Sequence, residues 1–154
     1  MSSVRVTHRY MHPVDRVFEA WLNPAMASRF FFATRTGSVL QCEIEAEPGG
    51  SFVVTDRRPH ADADESFFDA EHRGTYAEIV PNNRIVFDFT VGPMGAPTRV
   101  TLDFVRLGSA ISEIVLEHEL GEEADPHAAS RARQGWERML DQLEKVLGTR
   151  LRLG

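Results

Sequence analysis

His118 is the residue of this 154-residue sequence whose type and setting most suggest chemistry. From Ile111 to Leu120 the chain alternates, so that Ile114, Leu116, His118 and Leu120 share one face of a strand. An imidazole turned into an apolar interior can orient a ligand or act as a general acid or base near neutral pH. The plainer reading is a core histidine satisfied by a neighbour. Glu117 and Glu119 have the opposite parity and are expected in solvent. His8 shares the face of Val4 and Val6 and is expected to border the same space, while Tyr76 can point either way. Trp21, Phe52, Phe87, Phe89, Phe104 and Trp136 suit an apolar pocket with few polar groups, although each taken singly reads as core. Cys42 alternates with Leu40 and Ile44, which makes it a buried structural thiol.

Other chemistry finds less support. His60, Asp62, Asp64 and Glu65 crowd one stretch, and carboxylates attract hard cations. Counted from Asp62, however, the sixth and twelfth places of a calcium loop hold Phe67 and Arg73 instead of glycine and glutamate, so a solvated acidic loop is expected. Nucleophile-elbow, phosphate-loop, zinc-protease and paired-cysteine patterns are absent. No catalytic residue, metal or cofactor is therefore assigned, and an enzyme is the less favoured reading.

The totals narrow the partners. A net charge of −6 with scattered arginines argues against nucleic acid, which needs clustered cations. Arg131, Arg133 and Arg138 come nearest to a cluster, but they share a helix with Glu137, Asp141 and Glu144. One cysteine excludes an internal disulfide and fits a reducing compartment. There is no leader pattern, and no apolar run reaches the ~20 residues of a membrane span. A cytoplasmic protein folding as one domain over residues 1–154 is expected.

These side chains must be positioned by a series of strands framed by helices. Val4 to Met11 alternates, and His12-Pro13 stops it. Val14, Val17, Phe18, Trp21 and Leu22 recur at helical spacing, and Asn23-Pro24 caps a second short helix reaching about Phe30. Strands follow over 39–46, 52–55, 72–79, 84–91, 100–104 and 111–120, separated by Gly, Pro and Asn turns. Arg57 to Ala70 is acidic and aperiodic and is expected to be a loop.

A long amphipathic helix from Asp125 to Leu147 closes the series, with Asp125 as N-cap, Pro126 in the first turn and Gly148 beyond the end. At about 1.5 Å per residue it is roughly 33 Å long, enough to cross a sheet. Ala132, Trp136, Met139, Leu140, Leu143, Val146 and Leu147 form its apolar stripe. The first half of the helix is small (Ala128, Ala129, Ala132, Gly135) and the second half bulky. Gly135 costs about 0.5–1 kcal/mol relative to alanine, so it needs a reason. A cavity beneath Ala128 to Gly135 supplies one; close helix–sheet contact is the alternative.

The stretches HPVDRVFEAWLNP (12–24), EPGGSFVV (47–54), RGTYAEIVPNNRIVFDF (73–89) and GWERMLDQL (135–143) occur in the order of a known family. The chain resembles the activator-of-heat-shock-protein-ATPase homologue branch of the START-like, helix-grip (SRPBCC, Bet v-type) superfamily. The resemblance implies an α+β fold: a curved antiparallel sheet of about six to seven strands around the last helix, two short helices after the first strand, and an internal cavity. Superfamily members bind lipids, sterols, hormones or polyketides, a few are cyclases or dehydratases, and the eukaryotic co-chaperone of this branch stimulates a chaperone ATPase. The chain departs from the family in carrying Phe30-Phe31-Phe32 where a tryptophan usually ends the second helix, and in a longer stretch from Arg57 to Ala70.

Together these readings favour a domain that binds a small apolar or amphipathic ligand, lined by Trp21, Phe52, Tyr76, Phe87, Phe89, Phe104, Leu116, His118, Ala132, Gly135, Trp136 and Met139. A chaperone-regulating module and a cyclase-like enzyme using His118 are the rivals. The oligomeric state, a homodimer included, stays open.

Overall fold

The alternating segments do become strands, and they all join one sheet. A computed structural model describes residues 2–32, 38–59, 67–91, 96–121 and 126–148. The elements are β1 (Ser2–Tyr10), α1 (Val14–Leu22), α2 (Pro24–Ala27), β2 (Ser38–Ile44), β3 (Ser51–Pro59), β4 (Phe67–Val80), β5 (Arg84–Val91), β6 (Thr98–Gly108), β7 (Ile111–Gly121) and α3 (Pro126–Gly148). The seven strands are antiparallel in the order β1-β7-β6-β5-β4-β3-β2. β2 through β7 are successive hairpins, and β1 adds to the free edge of β7. β1 and β2 therefore lie at opposite edges, and the chain between them must cross the sheet. α1 and α2 make that crossing, burying Val17, Phe18, Ala20, Trp21 and Ala27. No helix among the described residues is long and apolar enough to cross a membrane.

Local chemistry explains the joints. The Asn23 side chain accepts the Ala25 N–H at 2.9 Å, with Pro24 at the first helical position of α2. Gly49, at φ 86°, makes the turn between β2 and β3 that a side chain would strain. Gly74 faces Phe52 across the β3–β4 ladder, and the phenyl ring lies where a Cβ would stand. A glycine is needed there for close packing.

Several boundaries differ from expectation. Arg57–Ala70 is not a loop throughout: β3 runs on to Pro59 and β4 begins at Phe67, with Arg57 opposite Asp69. Ladder bonds belong to the backbone, so a hairpin can extend through polar residues, and Pro59 sits at the strand end where a missing N–H does least harm. His60, Asp62, Asp64 and Glu65 lie outside the described residues, as does the expected cap Asp125. β1 ends at Tyr10 and leaves Met11 70% exposed. α2 ends at Ala27, short of Phe30. Three consecutive residues of a helix point about 100° apart, so Phe30, Phe31 and Phe32 reach the core together only because the chain leaves the helix.

α3 is fastened to β1 by polar contacts along its length. Arg133 donates to the Arg5 carbonyl at 2.9 Å, Tyr10 donates to the Leu140 carbonyl at 2.8 Å, and His8 meets Glu144 at 2.7 Å. Arg16 reaches the Leu147 carbonyl at 3.0 Å, satisfying one of the free carbonyls at the helix end. His8 thus serves the helix–sheet edge, in contrast to the expectation that it borders the interior. Tyr10→Phe is expected to cost about 0.5–1.5 kcal/mol, the net worth of one neutral hydrogen bond, read as a lower urea midpoint at unchanged m-value.

Candidate functional site

The inner face of the sheet is rich in aromatic rings, and three groupings can be separated within it. Phe104 packs edge-on against Phe18 at 5.2 Å beneath α1, next to the Leu102–Leu116 cross-strand pair. Trp21 meets Phe30 and Phe31, and Phe31 passes contact on to Phe52 and Phe87, with Tyr76 against both of those rings. The third grouping lies under α3 and unites Phe89, His118 and Trp136 with Phe32 and His72. Of the residues selected from sequence, Phe89, His118, Trp136 and Met139 thus converge under the helix. Trp21, Phe52, Tyr76 and Phe87 form the adjoining wall, and Phe104 and Leu116 lie farther along the core.

His118 has both ring nitrogens engaged. The Trp136 Nε1–H donates to Nδ1 at 2.9 Å, and Nε2 lies 2.9 Å from Thr98 Oγ1. Indole is only a donor, so Nδ1 accepts, and the neutral ring carries its proton on Nε2 toward Thr98. Burial pushes the imidazole down to about 4. A second proton would have to enter at Nδ1, against an N–H already pointing there. The geometry makes His118 a neutral link tying α3 to β6 and β7, and leaves it no free nitrogen for acid–base work.

Other buried polar groups lie on the same face. Tyr76, open to either face by sequence, points inward and is 2% exposed; its hydroxyl and the Trp21 Nε1 make no hydrogen bond among the described residues. Burial raises the Tyr76 phenol and brings the half-buried Cys42 thiol to about 11, which keeps the thiol protonated and unreactive. Asp56 and His72 are buried at 0% and 4% exposure. They belong to neighbouring strands and the same face, Asp56 standing opposite Ala70 and His72 opposite Val54. Neither was selected from sequence. Asp56 has the parity of Phe52 and Val54, a signal obscured by reading the acidic stretch as a loop; His72 has that of Tyr76, in a strand whose buried face the sequence left open. Phe31 and Phe32 were signalled only as an aromatic triplet. Among the described residues no group of three His, Cys, Asp or Glu is placed to hold a metal.

Above these walls α3 changes character. Ala128, Ala129, Ala132 and Gly135 are half-buried, whereas Trp136, Leu140 and Leu143 are fully buried. A Cβ built on Gly135 would meet nothing within 4 Å, so close helix–sheet contact is not the reason for this glycine. One turn later Met139 accepts the Phe32 N–H through its sulfur at 3.3 Å, which puts that turn of the helix beside Phe32. A separate depression of about 360 Å³ lies between Arg73, Thr75, Asp88 and Thr90 on the outer face, away from α3. There Asp88 is held in a two-pronged pair by Arg99.

An antiparallel sheet closed over one long C-terminal helix, with an aromatic interior between them, defines an α+β helix-grip domain. Residues 11–148 match the family described as activator of Hsp90 ATPase homolog 1-like protein, and the chain belongs to that family. Solved structures share the fold. A protein from Chromobacterium violaceum aligns over 97% of this chain and 100% of its own at 19% identity and a TM-score of 0.78. An Hsp90 activator from Plasmodium falciparum aligns over 96% and 97% at 19% identity and a TM-score of 0.71. DynU16, a protein of the dynemicin biosynthetic locus, aligns over 97% of this chain but 48% of its own, at 18% identity and a TM-score of 0.73. Comparison with curated proteins found no match.

Proposed function

We propose that this domain binds one small apolar or amphipathic molecule between the first half of α3 and the inner face of the sheet. The observation supporting this is the open space at Gly135, on a helix whose next turn is tightly packed. A helix that gives up about 0.5–1 kcal/mol for a glycine with nothing against it is keeping a volume clear. Affinity would come from apolar burial, at about 25 cal/mol per Å² before the costs of association. The buried Tyr76 hydroxyl is available to a polar end of the ligand. A cytoplasmic location belongs to this reading, in keeping with the single thiol.

Native mass spectrometry and thermal shift against lipids, phenolics and polyketides provide the test, and uniform failure dismisses the proposal. Two substitutions sharpen it. Gly135→Ala is expected to raise unfolding stability by about 0.5–1 kcal/mol through helix propensity alone. Gly135→Leu is expected to leave the fold intact and weaken binding of any captured ligand at least tenfold. A Gly135→Leu protein that binds unchanged places the ligand elsewhere.

A second reading, a regulator of a chaperone ATPase, is favoured by the likeness to the Plasmodium activator. Met11, just beyond β1, and Val105 and Leu107 on β6 are exposed apolar side chains for such a contact. Stimulation of Hsp90 ATPase by the purified protein is its test, and a rate equal to that of the chaperone alone rejects it.

A further inference from the structure

We infer that the slot filled by the Phe32 ring is a receptor for a flat aromatic ring, and that Phe32 is its resident occupant until such a ligand displaces it. The inference rests on the ligand-binding reading above and names the class of ligand. Phe32 stands at φ 54°, a left-handed conformation that a bulky side chain adopts only when its surroundings impose it. The backbone does little to impose it, because the Phe32 N–H is given to a thioether sulfur, a weak acceptor. The ring is what holds the residue in place. It lies parallel to His72 (4.2 Å, 8°) and near-parallel to Phe31 (4.4 Å, 28°), with Phe89 at 4.9 Å and Trp136 at 5.7 Å.

Most of the walls of this slot do not depend on Phe32. His72 belongs to β4, Phe89 to β5 and Trp136 to α3. Phe31 is anchored separately by Trp21, Phe52 and Phe87. Phe32 can therefore leave without dismantling those walls, and a return of its backbone from the left-handed region would carry the ring out of the slot. The vacated space would lie beside the turn of α3 that carries Trp136 and Met139. Recognition there is by ring faces: the indole N–H is already given to His118, and its proton is not offered to the slot. A planar ring of phenyl or naphthyl size, replacing one stacked ring with another, fits this chemistry.

The probe is 2-naphthol, titrated into the wild-type protein and the Phe32→Gly variant and followed by NMR. Phe32→Gly empties the slot and tolerates the positive φ. The expected result is saturable binding to wild type with loss of the ring-to-ring contact between Phe32 and His72, and binding at least tenfold tighter to Phe32→Gly. Binding to wild type with that contact intact overturns the inference and leaves the ligand-binding reading standing. No binding to wild type, whether or not the variant binds, also overturns it, because the slot would then be core. The broader reading falls only if the lipid and polyketide panel fails as well.

Discussion

Replacement of Trp136 by alanine is expected to lower the unfolding free energy by about 3–5 kcal/mol, the range for removing a large buried aromatic side chain. Trp136 is 3% exposed and touches Phe32, Phe89 and His118. Alanine would remove those contacts and also the donor that satisfies His118 Nδ1. Trp136→Phe helps to separate the two effects, since it keeps a six-membered aromatic ring and much of the apolar bulk while removing the pyrrole ring with its N–H. It is expected to cost about 1–3 kcal/mol, the penalty for leaving a buried acceptor unpaired. Urea denaturation of the two variants measures both. Equal losses would assign the whole effect to the missing N–H, and a negligible loss for Trp136→Phe would mean that the link to His118 contributes nothing.

Acidification is the second large perturbation. His118 titrates near 6.5 in an unfolded chain and near 4 when buried beneath α3. The unfolded state therefore takes up the proton first, and stability falls as pH drops from about 6.5 to 4. At about 1.36 kcal/mol per pH unit, the loss through this residue is about 3 kcal/mol. Above 6.5 the contribution is complete; below 4 both states are protonated and the loss levels off. His12 is lowered by burial as well and adds in the same direction. Asp88, held below its usual range by its hydrogen bond to Arg99, acts lower on the scale, where carboxylates protonate. Stability measured from pH 7.5 to 4 in wild type and in His118→Gln isolates the histidine. The wild-type curve is expected to fall about 3 kcal/mol further, and parallel curves would contradict the assignment.

The reading of His118 shows how far sequence reasoning reaches. Its inward orientation followed from parity with Ile114 and Leu116. Its role did not follow, because that depends on an indole from α3 and a hydroxyl from β6 arriving at the two ring nitrogens. The same holds for His8, whose parity was right but whose partner is Glu144 on the helix edge. His72 was overlooked because the buried face of the strand over 72–79 was left open with Tyr76, and Asp56 for a reason related to strand length. The stretch after Thr55 lacks apolar alternation, yet backbone pairing carries β3 and β4 four or five residues farther than the side chains announce.

Alternation, turn residues and capping chemistry act between near neighbours in the chain. The strand–helix–helix–strands–helix order, the outward and inward faces and the small-to-large change along the last helix could therefore be read directly. Whether the small half of that helix covers open space depends on which distant side chains fill the interior. Phe32 is buried against Trp136 from a backbone conformation that no local pattern encodes, and a Cβ on Gly135 would meet nothing within 4 Å. Filling is a balance of volumes brought together across the whole sheet, so it was decided by packing alone.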